Sequence, residues 1–547
     1  MTRRPLLAAS LAAVCAAGLH LGAAAQPPPR TDDDRPRLVV LIVVDQMRSD
    51  YIDRYSAGWT GGLKRLMDEG AWYRNGAYPY LNTVTCSGHA TISTGRFPRS
   101  HGVIMNAWYD RDSGATTDCT ADPDVDTIGR GGPTEGGQSA WRLKGGTLAE
   151  RVRAGGGRVV TISMKPRAAI MPAGDKSDAT IWFGSPGTFV TSTAYARQVP
   201  KFVIDTLDTH PIVSDRLTPW TQLLPTEAYS GADDGVGERP PAGWTASFPH
   251  PMDVPQFLAL WQTSPRSDAY LARLASAAID SYKLGQGTSI DFLSVSFSAL
   301  DVVGHAFGPD SHEVQDVLAN LDRHLGGLLA QLDERVGRGR YVLAFTADHG
   351  VAPIPERMKS EGQDAGRLNP QAIADAANRA LVPILGAQHY VGAVLYTDLY
   401  FRRGVWNQID GNARAVDAVK TAIAAEPGVG RVFSASDMRM VSTTDPVQRA
   451  AALSFFRERS GDIIIVPKRY WIGSTAATTH GTLQDYDQRV PMIFFGATIR
   501  AGRLDDTATP ADIAPTLARL AAVALRDTDG HALDVPLVPR ATPPVIP

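Results

Sequence analysis

Arg37-Leu38-Val39-Val40-Leu41-Ile42-Val43-Val44-Asp45 is the stretch that decides the fold. A strand points successive side chains to opposite faces, so a half-exposed strand alternates apolar and polar residues. Leu38 to Val44 does not alternate. The run is therefore a strand buried on both faces, as in a parallel sheet covered by helices. It stops at a carboxylate, Asp45. The pattern recurs at residues 158–163 with Lys165 beyond it, at 291–297 before Asp301, and at 341–346 before Asp348-His349. A fifth apolar run, 490–495, follows the segment that holds His480. Helical periods lie between them: residues 62–69, residues 313–336 with Val314, Val317, Leu318, Leu321, Leu325 and Leu328 in one stripe, and residues 512–522. Strands alternating with helices predict an α/β fold, a doubly wound and mostly parallel sheet, whose ligands sit at the carboxyl ends of the strands. Four of the five strands reach a charged residue just past that end.

Two stretches interrupt the alternation. Residues 170–285 are rich in Pro, Trp, Thr and Ser, and residues 355–475 carry strand and helix signals of their own, at 390–401 and 413–425. Both are expected to be insertions that cap the active edge of one catalytic domain spanning 36–547. Residues 26–36, rich in Pro and Asp, form a lead-in.

The composition narrows the function. The 547 residues hold 54 Lys+Arg and 57 Asp+Glu, for a formal charge of −3. With no long basic run, no nucleic-acid partner is expected. With 20% charged and 44% hydrophobic residues, disorder is excluded as the main state. Three cysteines are too few for a disulfide scaffold or a cysteine-built zinc site, so metal chemistry must come from His, Asp and Glu.

Residues 1–25 have the pattern of a signal peptide. Arg3 and Arg4 are followed by an apolar, Ala-rich stretch to Leu21, and Ala23-Ala24-Ala25 supplies the small residues of a cleavage site. An uncleaved anchor is the alternative. A lipid anchor at Cys15 is disfavoured by Val14, where a small residue is wanted. No other stretch is long and apolar enough to span a bilayer. A periplasmic or secreted protein with no stable membrane anchor after cleavage is expected, and a monomer. Cys86 and Cys119 are then the cysteines left, and the sequence leaves open whether they form a bridge or two buried thiols.

The chemistry-bearing residues lie near strand ends. Asp301 and His305 are four apart, which puts them on one face if the segment is helical; Gly304, Gly308 and Pro309 favour a looser turn. Asp348-His349 follows a buried strand and must face a cleft or be neutralised by a cation. With Asp45 and His480, three carboxylates and three histidines are enough for two divalent metals. Residues 82–91, Asn-Thr-Val-Thr-Cys-Ser-Gly-His-Ala-Thr, are hydroxyl-rich and precede a helical segment. A hydroxyl at a helix N-terminus is a candidate nucleophile; an N-cap cluster is the plainer reading.

Taken in order, Asp45-Gln46-Met47-Arg48, Thr85-x-x-Gly88-His89, His101-Gly102-Val103-Ile104-Met105-Asn106-x-Trp108-Tyr109-Asp110, Lys165-x-Arg167, Asp301-x-x-x-His305, Ala347-Asp348-His349-Gly350 and His480-Gly481 resemble the alkaline phosphatase superfamily. The likeness is specifically to its exported, phosphate-irrepressible enzymes with a threonine nucleophile, of Sphingomonas and Flavobacterium type, and it spans roughly residues 36–530. The resemblance implies two Zn²⁺ per chain, one on Asp301, His305 and His480, the other on Asp45, Asp348 and His349 with the Thr85 oxygen. It implies Thr85 as nucleophile, and Asn106, Lys165 and Arg167 as contacts to the phosphoryl oxygens of small phosphate monoesters. One departure is Ser87, near which relatives often carry Pro. His89 and His101 are read as packing or capping residues, His312, His324 and His531 as outside any site, and Asp485 and Asp487 as loop residues near His480.

The rival within this resemblance is a nucleotide pyrophosphatase or phosphodiesterase. It shares the bimetal core but acts on a singly charged diester, and the Lys165-x-Arg167 pair favours the monoester. A sulfatase needs a Cys or Ser followed by Pro and Arg, which residues 86–90 lack. A cofactor-independent phosphoglycerate mutase would use Ser, and export argues against it. A non-enzymatic periplasmic metal- or phosphate-binding protein would need no nucleophile at Thr85.

Overall fold

The structure, a computed structural model, describes residues 35–185 and 187–538. The expected signal peptide lies outside the described residues. The sheet strands used below are β1 (Leu38–Val44), β2 (Ala71–Gly76), β3 (Val159–Ser163), β4 (Ala179–Gly184), β5 (Thr188–Ser192), β6 (Asp291–Phe297), β7 (Tyr341–Thr346), β8 (Met492–Gly496) and β9 (Gly502–Ala508). The order across the sheet is β9-β2-β8-β7-β1-β6-β3-β4-β5, extended by a hairpin of Thr127–Gly129 and Gly132–Thr134. The helices that matter are α1 (Thr85–Thr94), α2 (Pro166–Ala173), α3 (Pro265–Tyr282), α4 (Ala299–Phe307) and α5 (His312–Leu332).

β1 is buried along its whole length. Leu38, Val40, Ile42 and Val44 pack on one face with α5 residues such as Val317, Leu321 and Leu328. Val39, Leu41 and Val43 pack on the other with the helix Ile513–Ala521. Each such side chain contributes ~1.5–3 kcal/mol by leaving water, which is why the run tolerates no polar alternation. β7, β1, β6, β3 and β4 are mutually parallel.

The expected parallel order breaks at both sides. β8 runs antiparallel to β7 and β2, and β5 antiparallel to β4. The reversal of β8 has a consequence for the site. Met492, at its start, pairs with Thr346, at the end of β7, so the chain preceding β8 arrives at the same edge as the carboxyl ends of the parallel strands.

The stretch 170–285 is not wholly an insertion: it supplies β4 and β5 to the main sheet, and α3 to the layer on one face. The stretch 355–475 builds a four-stranded sheet of its own, in the order Val391–Leu395, Asp398–Phe401, Ile463–Pro467, Val429–Ser434. It grips the loop before α1. Thr397 Oγ1 donates to Asn82 Oδ1 at 2.5 Å, and the Asn82 amide donates to Ser454 Oγ at 2.9 Å. No helix among the described residues is long and apolar enough to cross a membrane.

Candidate active site

Six segments converge on the carboxyl edge of β3, β6, β1 and β7. Asp45 follows β1, Asp348 lies two residues past β7, and Lys165 two past β3. Asp301 and His305 sit on α4, a regular helix rather than the loose turn that its glycines suggest. Its N-terminus is capped from elsewhere: buried Asp268 on α3 accepts from the amides of Ser298 (2.9 Å) and Ala299 (3.1 Å) through one carboxylate oxygen. Helices leave their first N–H groups unsatisfied, and the Asp268 oxygen accepts from two backbone N–H groups at this N-terminus.

Thr85 opens α1 and is 1% exposed. Its Oγ1 lies 3.4 Å from His349 Nε2. Close approach is possible because Gly88 has no Cβ: one placed there would stand 2.3 Å from the Asp348 carbonyl oxygen.

The three histidines share one arrangement. His305 Nδ1 donates to the Thr478 carbonyl, His349 Nδ1 to that of Gly350, and His480 Nδ1 to that of Thr83, each at 2.9 Å. A carbonyl can only accept, so each Nδ1 carries a proton, and each ring in its neutral form presents the Nε2 lone pair. Those Nε2 atoms face carboxylates: His305 at 3.2 Å and His480 at 3.6 Å from Asp301 Oδ1, His349 at 3.4 Å from Asp45 Oδ1 and 3.5 Å from Asp348 Oδ2. Backbone bonds that hold an imidazole in this tautomer are the usual support of metal ligands. Two tight groups result, Asp45, Asp348 and His349, and Asp301, His349 and His480. The first is the expected trio. In the second, His349 takes the place expected of His305, whose side chain, 28% exposed, borders the group beside Asp301.

The electrostatics fit two dications. Three carboxylates are buried with one ammonium: Lys165 Nζ bonds Asp45 Oδ2 at 2.6 Å and also Asp301 Oδ2. Burial, then the Asp301 and Asp348 charges, push the Asp45 carboxyl well above its usual range, against the pull of Lys165. Burial also opposes ionisation of Asp301, but Lys165 and His305 outweigh it and hold Asp301 well below that range. Asp348 is likewise held down by His349 and His89 against its burial. Burial lowers His349 and His480, which favours the neutral form that a ligand needs. Asp45 Oδ1 and Asp348 Oδ2 are buried with no hydrogen-bond partner. Unpaired oxygens of this kind are costly, and the nitrogen and oxygen donors around them suit zinc.

Lys165, expected to meet phosphoryl oxygens, thus spans two of the carboxylates, drawn there by their charge. Arg167 lies in the first turn of α2, half-buried, with its Nε unpaired. Asn106 Oδ1 accepts from the Cys86 amide at 2.8 Å, which leaves its NH₂ as the donor. His101 bonds Thr91 Oγ1 and the Val103 amide, a loop-holding role.

A family model described as type I phosphodiesterase / nucleotide pyrophosphatase matches residues 39–488. Alkaline phosphatase PafA of Elizabethkingia meningoseptica is 33% identical over 500 residues, 89% of this chain and 91% of its own. The chain belongs to the alkaline phosphatase superfamily. A second member, alkaline phosphatase PhoV of Synechococcus elongatus, is 31% identical over 517 residues, 89% of this chain and 90% of its own. The crystal structure of wild-type PafA superposes with a TM-score of 0.85 at 32% identity, covering 91% of this chain and 98% of that one. A further PafA structure carries substitutions at one threonine, one asparagine, one lysine and one arginine.

Three residues that support this superfamily site escaped the sequence reading. Gln46, in the left-handed region at φ 71°, donates from Nε2 to Asp301 Oδ1 (2.9 Å) and from its backbone to Asp348 Oδ1 (3.1 Å), tying one metal group to the other. His89 does more than pack: its Nδ1 donates to the Thr85 carbonyl at 2.9 Å and lies 3.3 Å from Asp348 Oδ2. Asp268 caps α4. Gln46 and His89 stood inside quoted motifs, so their place was visible though not their partners. Nothing local marks Asp268.

Proposed function

We propose that this chain is an exported zinc-dependent alkaline phosphatase that hydrolyses small phosphate monoesters through a phosphothreonine at Thr85. The observation that carries the reading is the centre itself: three imidazoles turn Nε2 toward three buried carboxylates, with the Thr85 hydroxyl at its edge. The likeness to the two alkaline phosphatases supports it. Asp301, His305 and His480 would hold one Zn²⁺, and Asp45, Asp348, His349 and the Thr85 oxygen the other. When bound, the pair supplies Lewis-acid charge that favours the threonine alkoxide and the departing oxygen.

Thr85 Oγ1 attacks phosphorus and the ester oxygen leaves. Water then attacks the phosphothreonine, releasing phosphate and the free hydroxyl. Phosphoryl transfer is loose, with charge on the nonbridging oxygens. Arg167 meets that charge with a fork of donors and Lys165 with a point charge. Asn106 adds the NH₂ group that its bond to Cys86 leaves outward. His89, bonded to the Thr85 carbonyl, steadies the nucleophile's backbone. In this reading residues 36–547 form one catalytic unit, with 355–475 bracing the loop that leads into Thr85.

The name of the matching family model favours a second reading, a phosphodiesterase on the same residues. The test is hydrolysis of nitrophenyl phosphate against bis-nitrophenyl phosphate, before and after chelation. The monoester should be preferred, chelation should abolish turnover, and Zn²⁺ should restore it. Preference for the diester would make the second reading the correct one, and activity in metal-free protein would refute both.

A further inference from the structure

Cys86 follows the nucleophile directly and is bonded to Cys119. Both are buried, at 0% and 1% exposure. Cys119 lies just past the return strand of a small antiparallel hairpin, Ala107–Asp110 with Ala115–Asp118, in which Ala107 pairs with Asp118. Asn106 lies just before the outgoing strand. The Cys119 amide donates to the Asn106 carbonyl at 2.9 Å, closing the hairpin's base. The Cys86 amide donates to Asn106 Oδ1 at 2.8 Å. Residues 86, 106 and 119 thus form a closed triangle: one covalent side, one side-chain bond and one backbone bond.

Packing seats the two strands unequally: Cys119 joins the cluster of Met105 and Trp108, and Thr117 Oγ1 accepts from Arg142 at 3.1 Å. Met105 and Trp108 are buried and seat the outgoing strand. The return strand is different, with Ala115, Thr116 and Asp118 exposed, and a two-stranded hairpin by itself is marginal in water. A shift of the return strand would carry Cys119 and, through its amide, the Asn106 backbone. The sulfur bridge ties that strand to the residue next to Thr85, so the nucleophile and the amide move as one body.

We propose that Cys86 and Cys119 are positioning residues: their disulfide sets the Asn106 amide relative to Thr85, and so the binding of the phosphoryl group. The proposal rests on the phosphatase reading, in which Asn106 donates to a phosphoryl oxygen. The bridge is then part of the catalytic geometry rather than a general brace, and the protein reaches full activity only where thiols are oxidised.

The test is a cycle between Cys86→Ala/Cys119→Ala and Asn106→Ala in zinc-loaded protein. The readouts are kcat/KM for nitrophenyl phosphate, the inhibition constant of inorganic phosphate, zinc content and Tm. A misplacement of ~1 Å can cost ~10²-fold; a partial loosening should cost about tenfold in kcat/KM and weaken phosphate similarly, with zinc content unchanged. In the Asn106→Ala background the same cysteine changes should cost under about twofold, since the group they position is gone. Equal losses in both backgrounds, tracking Tm alone, would overturn the proposal, as would no loss with Asn106 present. Should the double variant fail to fold, Cys119→Ala, which keeps Cys86 and its amide, gives the same comparison. Failure of the phosphatase reading has a different signature: wild-type protein inactive on the monoester.

Discussion

Gly304→Ala sets two structural effects against each other. Gly304 lies inside α4, between Asp301 and His305, where alanine should gain ~0.8–1.0 kcal/mol of helix propensity. A Cβ there would stand 1.9 Å from Gln46 Oε1 and 3.1 Å from its Cδ. Gln46 is 1% exposed with φ 71°, so it has little room to retreat without giving up its 2.9 Å bond to Asp301. A hydrogen bond to a charged group is worth ~1.5–3 kcal/mol. The loss should outweigh the helix gain by ~0.5–2 kcal/mol. Because Gln46 supports a metal ligand, Zn²⁺ affinity should fall ~10–100-fold. The assay is urea unfolding together with chelator competition for zinc. In a Gln46→Ala background the obstruction is gone, and Gly304→Ala should then be neutral or stabilising. If Gly304→Ala stabilises the otherwise unchanged protein and keeps its metal affinity, the bridging role of Gln46 is wrong.

Two further expectations concern the surroundings of the same centre. Asp268→Ala leaves two buried amides at the head of α4 unpaired and should cost at least ~1–3 kcal/mol with a fall in zinc content, whereas Asp268→Asn keeps an acceptor and should retain both. Burial pushes the Asp268 carboxyl up to about 7; it stays protonated in the fold where the unfolded chain has ionised, so its contribution to stability is full at acid pH and is lost as pH rises toward that value. A plot of Tm against pH should therefore slope less in Asp268→Asn, and an unchanged slope would refute the assignment. Removing Lys165 and Arg167 together should reduce kcat/KM on a phenyl phosphate by several powers of ten and less on a diester, which carries one negative charge fewer; equal losses would mean the pair does not set substrate preference.

The framework of this fold was legible because burial on both faces forbids polar alternation. Asp291–Phe297 and Tyr341–Thr346 are strands with the limits read from their apolar runs, and Gly62–Glu69 is a helix with the limits of its period. Strand direction was not legible. A run such as Met492–Gly496 looks the same parallel or antiparallel, because its side chains meet the same two layers either way. The helix over Asp301 and His305 was misjudged for a reason in the same class. Its glycine serves the approach of Gln46, which is 258 positions earlier, and its cap is a carboxylate on another helix. Propensity lost to tertiary contacts that no local window contains. The metal-ligand candidates were legible as residues past strand ends. The grouping that brings His349 next to both Asp45 and His480 depends on how the segments stack, and on the ring-to-ring distance of 3.5 Å between His349 and His480.

The central claim is that Thr85 carries the phosphoryl group between substrate and water. Zinc-loaded protein mixed with nitrophenyl phosphate and quenched in acid within the first turnovers traps whatever intermediate is present, and peptide mass spectrometry reads its position. The account predicts phosphate on Thr85, absent from Thr85→Ala and retained at the same position in Thr85→Ser. Phosphate on Thr83 or Thr91 instead, or turnover by Thr85→Ala at the wild-type rate, would contradict it.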